Sequence, residues 1–221
     1  MTAPHPLPQK AYTVQPVPPN YLTLSNPSTD DATEEKEKVL WIGCSDSLVS
    51  ETDSLTNINR SDIFVHRNLG NRVSVGDVSS GSALEWCVEG LKVQHIIVCG
   101  HYDCHLLSES KSDSNNWYHS HPSSLPSSFP FFSQYPSTKS NSPPQSDFIQ
   151  LHQLSDAQEP ASQDQKARNR HFEELYVLAE IEWLKKQDQV QRAVKEWGCQ
   201  VHAFVYDRER GECVRLVEKE G

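Results

Sequence analysis

The chain has no long hydrophobic run and no excess of positive charge. Its 221 residues contain 20 Lys and Arg against 30 Asp and Glu, which gives a formal net charge of -10 at pH 7. A protein that neutralises nucleic-acid phosphates needs the opposite balance, so we expect no nucleic-acid partner. No segment approaches the roughly 20 apolar residues of a transmembrane helix, so we expect no membrane association either.

Targeting signals and disulfide patterns are also missing. The first residues show neither the apolar stretch of a secretory signal nor the Arg-rich pattern of a mitochondrial transit peptide, so we expect a cytoplasmic protein. The six cysteines then predict reduced thiols and no disulfide framework. They contain no Cys-x-x-Cys pair, so thiol redox catalysis is poorly supported.

Two segments are too polar and irregular to belong to a core. Residues 1–38 are rich in Pro, Ser and Thr and predict a flexible N-terminal arm. Residues from about 108 to 165 are dense in Ser and Pro and predict an insertion, whose aromatic residues such as Trp117 could pack on the domain or on a partner subunit. The rest, residues 39–218, is predicted to form a single domain that this insertion interrupts.

Regular patterns outside these segments predict strands alternating with helices. Strands are expected at 39–43, 63–66 and 95–99, a helix from near 77 or 79 to near 90, a longer helix from about 167 to 197, and a hairpin of residues 201–206 and 213–217. This alternation predicts an α/β protein with a mostly parallel sheet and an antiparallel edge.

Potential metal ligands follow two of these strands. Cys44-Ser-Asp46 comes after the first strand, and His101-Tyr-Asp-Cys104 comes after the strand at 95–99. Ligands gather at the carboxyl ends of strands in open α/β sheets, and thiolate and imidazole are ligands that zinc prefers. A zinc site is therefore predicted, with buried thiols and a capping histidine as the alternative that the residues alone leave open.

Three blocks of sequence resemble the β-class carbonic anhydrases. They are residues 41–47, 64–71 and 98–104, and their order and spacing also match that family. The similarity covers about residues 39 to 107 and resumes from about 170 to 218. It implies an α/β fold with a central, mostly parallel sheet of four or five strands and flanking helices, one zinc ion per subunit, and a homodimer or higher homo-oligomer.

The resemblance also implies an activity and a set of site residues. Cys44, His101 and Cys104 would be the zinc ligands, and Asp46 would either orient a water molecule at the fourth position or occupy that position itself. The implied reaction is the reversible hydration of CO₂ to bicarbonate, a lyase activity with hydroxide as the nucleophile. Phe64 would wall the substrate pocket, Leu48 is also expected to line it, and Asn59 lies roughly where plant-type members carry a glutamine that contacts substrate.

The chain departs from the family at position 48, where Leu48 replaces an arginine that holds the aspartate off the metal. Leucine cannot make a bidentate contact with a carboxylate, so we expect an unrestrained Asp46 to become the fourth zinc ligand. Such a closed site predicts slow or absent activity at neutral pH. The alternative function is a catalytically inactive, zinc-stabilised scaffold or a bicarbonate-binding homologue.

Two further groups of residues near these motifs need an interpretation. His105 and Leu106 stand where the family has glycines, and their side chains are expected to narrow the cavity. His105 is a candidate proton shuttle because histidine titrates near neutrality, although a histidine beside a metal motif more often only neighbours the site. Arg67, between His66 and Asn68, is interpreted as a strand-end residue that binds backbone groups.

Overall fold

A six-stranded mixed sheet forms the centre of the protein. The computed structural model describes residues 12–18, 21–22, 38–55, 58–74, 78–108 and 165–219. The strands are β1 (Tyr12–Pro16), β2 (Val39–Cys44), β3 (Ile63–Asn68), β4 (His95–His101), β5 (Gln200–Asp207) and β6 (Glu212–Glu218). Their order across the sheet is β1-β6-β5-β4-β2-β3. Strands β3, β2, β4 and β5 are mutually parallel, whereas β6 and β1 add two antiparallel strands.

The predicted fold class is confirmed, but the predicted strand count is wrong. The described residues contain six strands because Tyr12–Pro16, inside the segment predicted to be a flexible arm, pairs with β6. The partner strand lies about 200 residues away along the chain, so no local sequence pattern predicts the pairing. The rest of the predicted arm up to residue 37, apart from residues 17–18 and 21–22, lies outside the described residues, as do residues 109–164 of the predicted insertion.

Five helices flank the sheet in the described part of the chain. They are α1 (Glu51–Ser54), α2 (Val78–Glu85), which continues into a π-helical segment (Trp86–Gly90), α3 (His105–Ser108), α4 (Gln165–Lys185) and α5 (Asp188–Trp197). The helix predicted to end near residue 90 and the C-terminal hairpin are confirmed. None of these helices is long and apolar enough to cross a membrane.

The single helix predicted from 167 to 197 is in fact two helices. Gln187 adopts an extended backbone with a ψ of 130°, and its side chain donates a hydrogen bond to the carbonyl of Trp183 at 2.9 Å. The apolar residues before and after the break keep a helical spacing. The hydrophobic pattern therefore gives no indication that the helix is interrupted. Starting a new helix after Gln187 lets α5 bury Val190 and Ala193 against the domain.

The sheet separates two apolar cores. Successive side chains of a strand point to opposite faces, so Leu40 and Ile42 of β2 pack with α2, α4 and α5, whereas Val39 and Trp41 pack on the other face. All residues of β2 and β4 are buried, which explains their continuous apolar sequences. The carboxyl ends of these two strands are therefore held by packing on both faces of the sheet.

The cysteines that flank the final hairpin lie on opposite faces of this sheet. Cys199 belongs to the core that contains α4 and α5, and Cys213 belongs to the core that contains Trp41. Cys199 and Cys213 therefore do not approach each other. All six cysteines are buried and free.

Two buried histidines on neighbouring strands make a hydrogen bond inside the second core. His95 Nδ1 lies 3.0 Å from His202 Nε2, and the hydroxyl of Tyr21 lies 3.4 Å from His202 Nδ1. Burial, followed by the charges of His95 and Arg215, lowers the pKa of His202 to about 3. The imidazole of His202 is therefore neutral in the folded protein across the physiological range.

We predict that this histidine makes the fold sensitive to acid. Unfolded histidine titrates near 6.5, so between pH 6.5 and 3 the unfolded chain binds a proton that folded His202 excludes. The associated stability is complete above pH 6.5 and falls as the pH drops towards 3, by about 2 kcal/mol at pH 5. Urea unfolding at pH 7 and pH 5 measures the free energy of unfolding that is lost between these pH values. In His202→Gln this loss should be smaller than in the wild type by about 2 kcal/mol. An equal loss in the variant and the wild type would assign the acid sensitivity to other groups.

Candidate metal centre

Three of the predicted ligands converge at the carboxyl ends of β2 and β4. The parallel register pairs Gly43 with Cys99, so the last residue of β2, Cys44, lies beside the last residues of β4. One ligand atom each from Cys44, His101 and Cys104 lies within 4.8 Å of the others, and all three residues are buried. This group could hold a metal ion.

His101 is oriented with one nitrogen free for a metal. Its Nδ1 lies 3.2 Å from the carbonyl of Tyr102, so a proton on Nδ1 is donated to that carbonyl and Nε2 keeps its lone pair. Nε2 is buried and has no hydrogen-bond partner among the described residues. A buried polar atom without a partner is costly, and a metal ion at this point would satisfy it.

The two thiols share a proton that a metal ion would replace. A hydrogen bond from Cys104 outweighs the effect of burial and lowers the pKa of Cys44 to about 4, while the same contact raises the pKa of Cys104. The sulfur of Cys44 also accepts backbone N–H groups from Asp46 at 3.4 Å and Gly70 at 3.3 Å. Gly70 has a φ of 79°, which favours glycine at this contact. Two thiolates and one imidazole fit zinc.

Helix α4 supports the loop that carries His101 and Cys104. The buried carboxylate of Glu173 accepts the backbone N–H groups of Cys104 at 3.0 Å and Asp103 at 3.3 Å. A Cβ atom added at Gly100 would lie 2.5 Å from a methyl group of Val177, so only glycine allows α4 to approach β4 this closely. The position of the loop thus depends on contacts with a helix far along the chain.

Asp46 lies beside the three ligands but outside their group. Its Oδ2 atom is 4.0 Å from His101 Nε2, accepts the backbone N–H of His105 at 3.2 Å, and lies 3.0 Å from His105 Nδ1. Partial burial would raise the pKa of Asp46, but the hydrogen bonds from His105 lower it. The expectation that Asp46 is unrestrained is therefore wrong, because residue 105 holds its carboxylate. Coordination of a metal by Asp46 stays a prediction.

Arg67 fixes the loop that follows Cys44. Its guanidinium donates to the carbonyls of Cys44 and Ser47, both at 3.0 Å, and of Val49 at 2.7 Å, and it also pairs with Glu51 at 2.7 Å. This arrangement matches its interpretation as a strand-end residue that binds backbone groups. The loop therefore keeps its shape without any contribution from an arginine at position 48.

The predicted substrate-pocket residues lie on separate elements. Leu48 is 65% exposed and lines a cavity of about 260 Å³ together with Val17, Ser54, Tyr206 and Cys213, among others. Phe64 is 37% exposed on the edge strand β3. Asn59 is exposed at the start of the 3-10 turn Arg60–Asp62 and makes no capping bond with its side chain. Their assignment to a substrate pocket stays a prediction.

Two residues of this site were not assigned these roles from the sequence. Glu173 is a polar residue on a helix whose apolar face was predicted, and no local pattern shows that its carboxylate faces a loop about 70 residues away. His105 was noticed only as a departure from the glycine of the family and as a candidate shuttle. Histidine in place of glycine at position 105 and leucine in place of arginine at position 48 are two departures from the same family pattern. Their joint occurrence was the signal in the sequence that could have linked His105 to Asp46.

Comparison with known proteins finds similarity to carbonic anhydrases. The sequence profile described as carbonic anhydrase matches residues 39–126. A carbonic anhydrase of Emericella nidulans is 44% identical over 73 residues, which cover 33% of this chain and 32% of the relative. A carbonic anhydrase of Candida albicans is 48% identical over 65 residues, which cover 29% of this chain and 22% of the relative. The chain thus spans a third or less of the length of these relatives.

Solved structures extend the similarity over most of the chain. A structure described as one of two tetrameric β-carbonic anhydrases from Sordaria macrospora is 28% identical, covers 81% of this chain and 80% of its own, and has a TM-score of 0.61. A β-carbonic anhydrase of Aspergillus fumigatus is 23% identical, covers 93% of this chain and 99% of its own, and shares the fold with a TM-score of 0.64. The chain and these structures thus share a fold, and in this chain the mixed α/β sheet carries a Cys₂His group at the ends of two strands. In its fold and in the matched segment, the chain is similar to the β-carbonic anhydrases.

We predict that Glu173 is needed for tight metal binding. Glu173→Ala removes the acceptor of two backbone N–H groups, so the loop that presents His101 and Cys104 should loosen. Losing a group that orients a metal ligand typically weakens metal affinity about 10- to 100-fold. Competition with a chelator measures the zinc affinity. The control is Glu182→Ala, a half-buried position on the same helix whose carboxylate binds Lys185. Equal affinities in Glu173→Ala and Glu182→Ala would contradict a role for Glu173.

Proposed function

We propose that the protein is a zinc-dependent carbonic anhydrase, a lyase that catalyses the reversible hydration of CO₂ to bicarbonate. The observation that carries this proposal is the buried group of Cys44, His101 and Cys104, with the Asp46 carboxylate alongside. In this group His101 Nε2 has no hydrogen-bond partner in the described part of the chain. The similarity to known proteins supports the reaction, since the relatives that part of the chain matches are carbonic anhydrases.

The protein's own residues would hold the ion and orient the reacting water. Zinc held by Cys44, His101 and Cys104 would supply the Lewis acidity that makes water nucleophilic near neutral pH. The hydrogen bond from His101 to the Tyr102 carbonyl fixes the ring, and Glu173 fixes the backbone of the loop. Asp46 Oδ2 lies 4.0 Å from His101 Nε2. In this proposal it would accept a hydrogen bond from the reacting water and so direct the lone pair of the water towards CO₂.

A catalytically inactive, zinc-stabilised scaffold or bicarbonate-binding homologue is the second candidate function. Leu48 is the departure behind this alternative, because leucine, unlike arginine, cannot restrain Asp46. The alternative requires the contacts from His105 to Asp46 to give way. If the Asp46 carboxylate became the fourth ligand, the site would close to water. The same zinc ion would then contribute only to the stability of the fold.

Self-association and a cytoplasmic location belong to the same proposal. Strand β3 is the last strand of the described sheet on its side and carries the exposed Phe64, so a second copy of the chain could pair there. The similar Sordaria macrospora structures are described as tetrameric, which supports a dimer or a higher homo-oligomer. Six free cysteines suit a reducing compartment. Sedimentation velocity of the full chain tests the assembly.

Stopped-flow CO₂ hydration tests the proposed activity. We predict that the zinc-loaded protein accelerates hydration and that Cys104→Ala reduces the rate to that of the metal-free protein, because the variant loses a ligand. Cys199→Ala is the matched control, since this cysteine is buried in the core away from the metal group. Wild-type turnover at the level of the metal-free protein, at both neutral and alkaline pH, would favour the scaffold. Activity gained only in Leu48→Arg would identify a closed wild-type site.

A further inference from the structure

The carboxylate of Asp46 is held by His105, a residue far from position 48 in the sequence. Both contacts come from His105, through its backbone N–H at 3.2 Å and its ring Nδ1 at 3.0 Å, and both are made to the Oδ2 atom. Leu48 offers no donor, and its side chain is 65% exposed. In this chain the restraint on Asp46 therefore comes from the loop of the second cysteine.

We propose that His105 is a positioning residue that replaces the missing arginine and keeps Asp46 off the metal, so that the fourth position stays open. The proposal rests on the metal centre proposed above. It reverses the expectation drawn from Leu48 alone, because the loss of the arginine is compensated at a distant position of the sequence.

Coordination of a metal by Asp46 would compete with the hydrogen bonds that Asp46 accepts from His105. The oxygen that lies 4.0 Å from His101 Nε2 is the same Oδ2 atom that contacts both donors of His105. Two ligand atoms about 2 Å from a tetrahedral zinc ion would lie roughly 3.3 Å apart, closer than the 4.0 Å between Oδ2 and Nε2. To join Nε2 as a ligand, Oδ2 would therefore have to move and would weaken two hydrogen bonds. Hydrogen bonds to a charged group are among the stronger ones in proteins, so they favour the open arrangement.

The side chain of His105 is specifically required for this role. Any residue except proline supplies the backbone N–H at position 105, but alanine or glycine supplies no second donor. The backbone of the preceding residue is fixed by Glu173, which accepts the N–H of Cys104. The His105 side chain is 74% exposed and fills no core, so replacing it should not disturb folding.

Azide binding to the cobalt-substituted protein tests the proposal without measuring catalysis. Cobalt(II) replaces zinc and reports thiolate ligation through its charge-transfer bands, and azide changes the d–d bands only where it can reach the metal. We expect wild type to bind azide and His105→Ala to bind it at least about 10-fold more weakly, because a freed Asp46 closes the site. His105→Asn, whose side-chain amide can donate from nearly the same place as Nδ1, should restore most of the affinity.

The control and the other outcomes separate this proposal from the proposed function. Lys195→Ala, an exposed change on α5, should bind azide as wild type does. Equal azide affinity in His105→Ala and wild type would overturn the proposal, as would His105→Asn binding as weakly as His105→Ala. Absence of thiolate-to-cobalt bands in wild type would overturn the metal centre and this proposal together. The expected azide pattern without CO₂ hydration would uphold the role of His105 and reject only the enzymatic function.

Discussion

The parallel pairing of β2 with β4 is the constraint on which the rest of the structure depends. Its register places Cys44 beside the end of β4, where His101 is the last strand residue and Cys104 follows three residues later. Both strands are buried on both faces, so their ends cannot shift without disturbing two cores. The packing of the sheet therefore determines the geometry of the metal group, whose residues come from two loops.

Buried carboxylates of α4 connect this sheet to the loops around the site. Glu173 binds the backbone of the loop between His101 and Cys104, Glu174 accepts the hydroxyls of Tyr12 and Tyr102 at 2.7 and 2.6 Å, and Glu180 accepts N–H groups at residues 73 and 74. A buried carboxylate is costly unless donors surround it, so each contact both satisfies the acid and fixes a loop. Helix α4 thus supports the N-terminal strand and the metal loop together.

The sequence predicted the parts of the site that follow from local pattern and failed for those that depend on distant contacts. The apolar runs of β2 and β4 predicted both strands, and the spacing of His101 and Cys104 predicted residues that the fold does bring together with Cys44. Strand β1 was missed because it pairs with β6, about 200 residues away, and lies in a Pro-rich segment. Leu48 alone predicts an unrestrained Asp46, whereas His105, 59 residues further along the chain, contacts its carboxylate.

X-ray absorption at the zinc edge of the loaded protein would test the central claim most directly. The account predicts one zinc ion per chain with two sulfur neighbours at about 2.3 Å and two lighter neighbours near 2.0 Å, one of which shows the outer-shell scattering of an imidazole. Cys44 and Cys104 would supply the sulfurs and His101 the imidazole. A first shell without sulfur, or with only one, would contradict the assignment of this group as the metal centre.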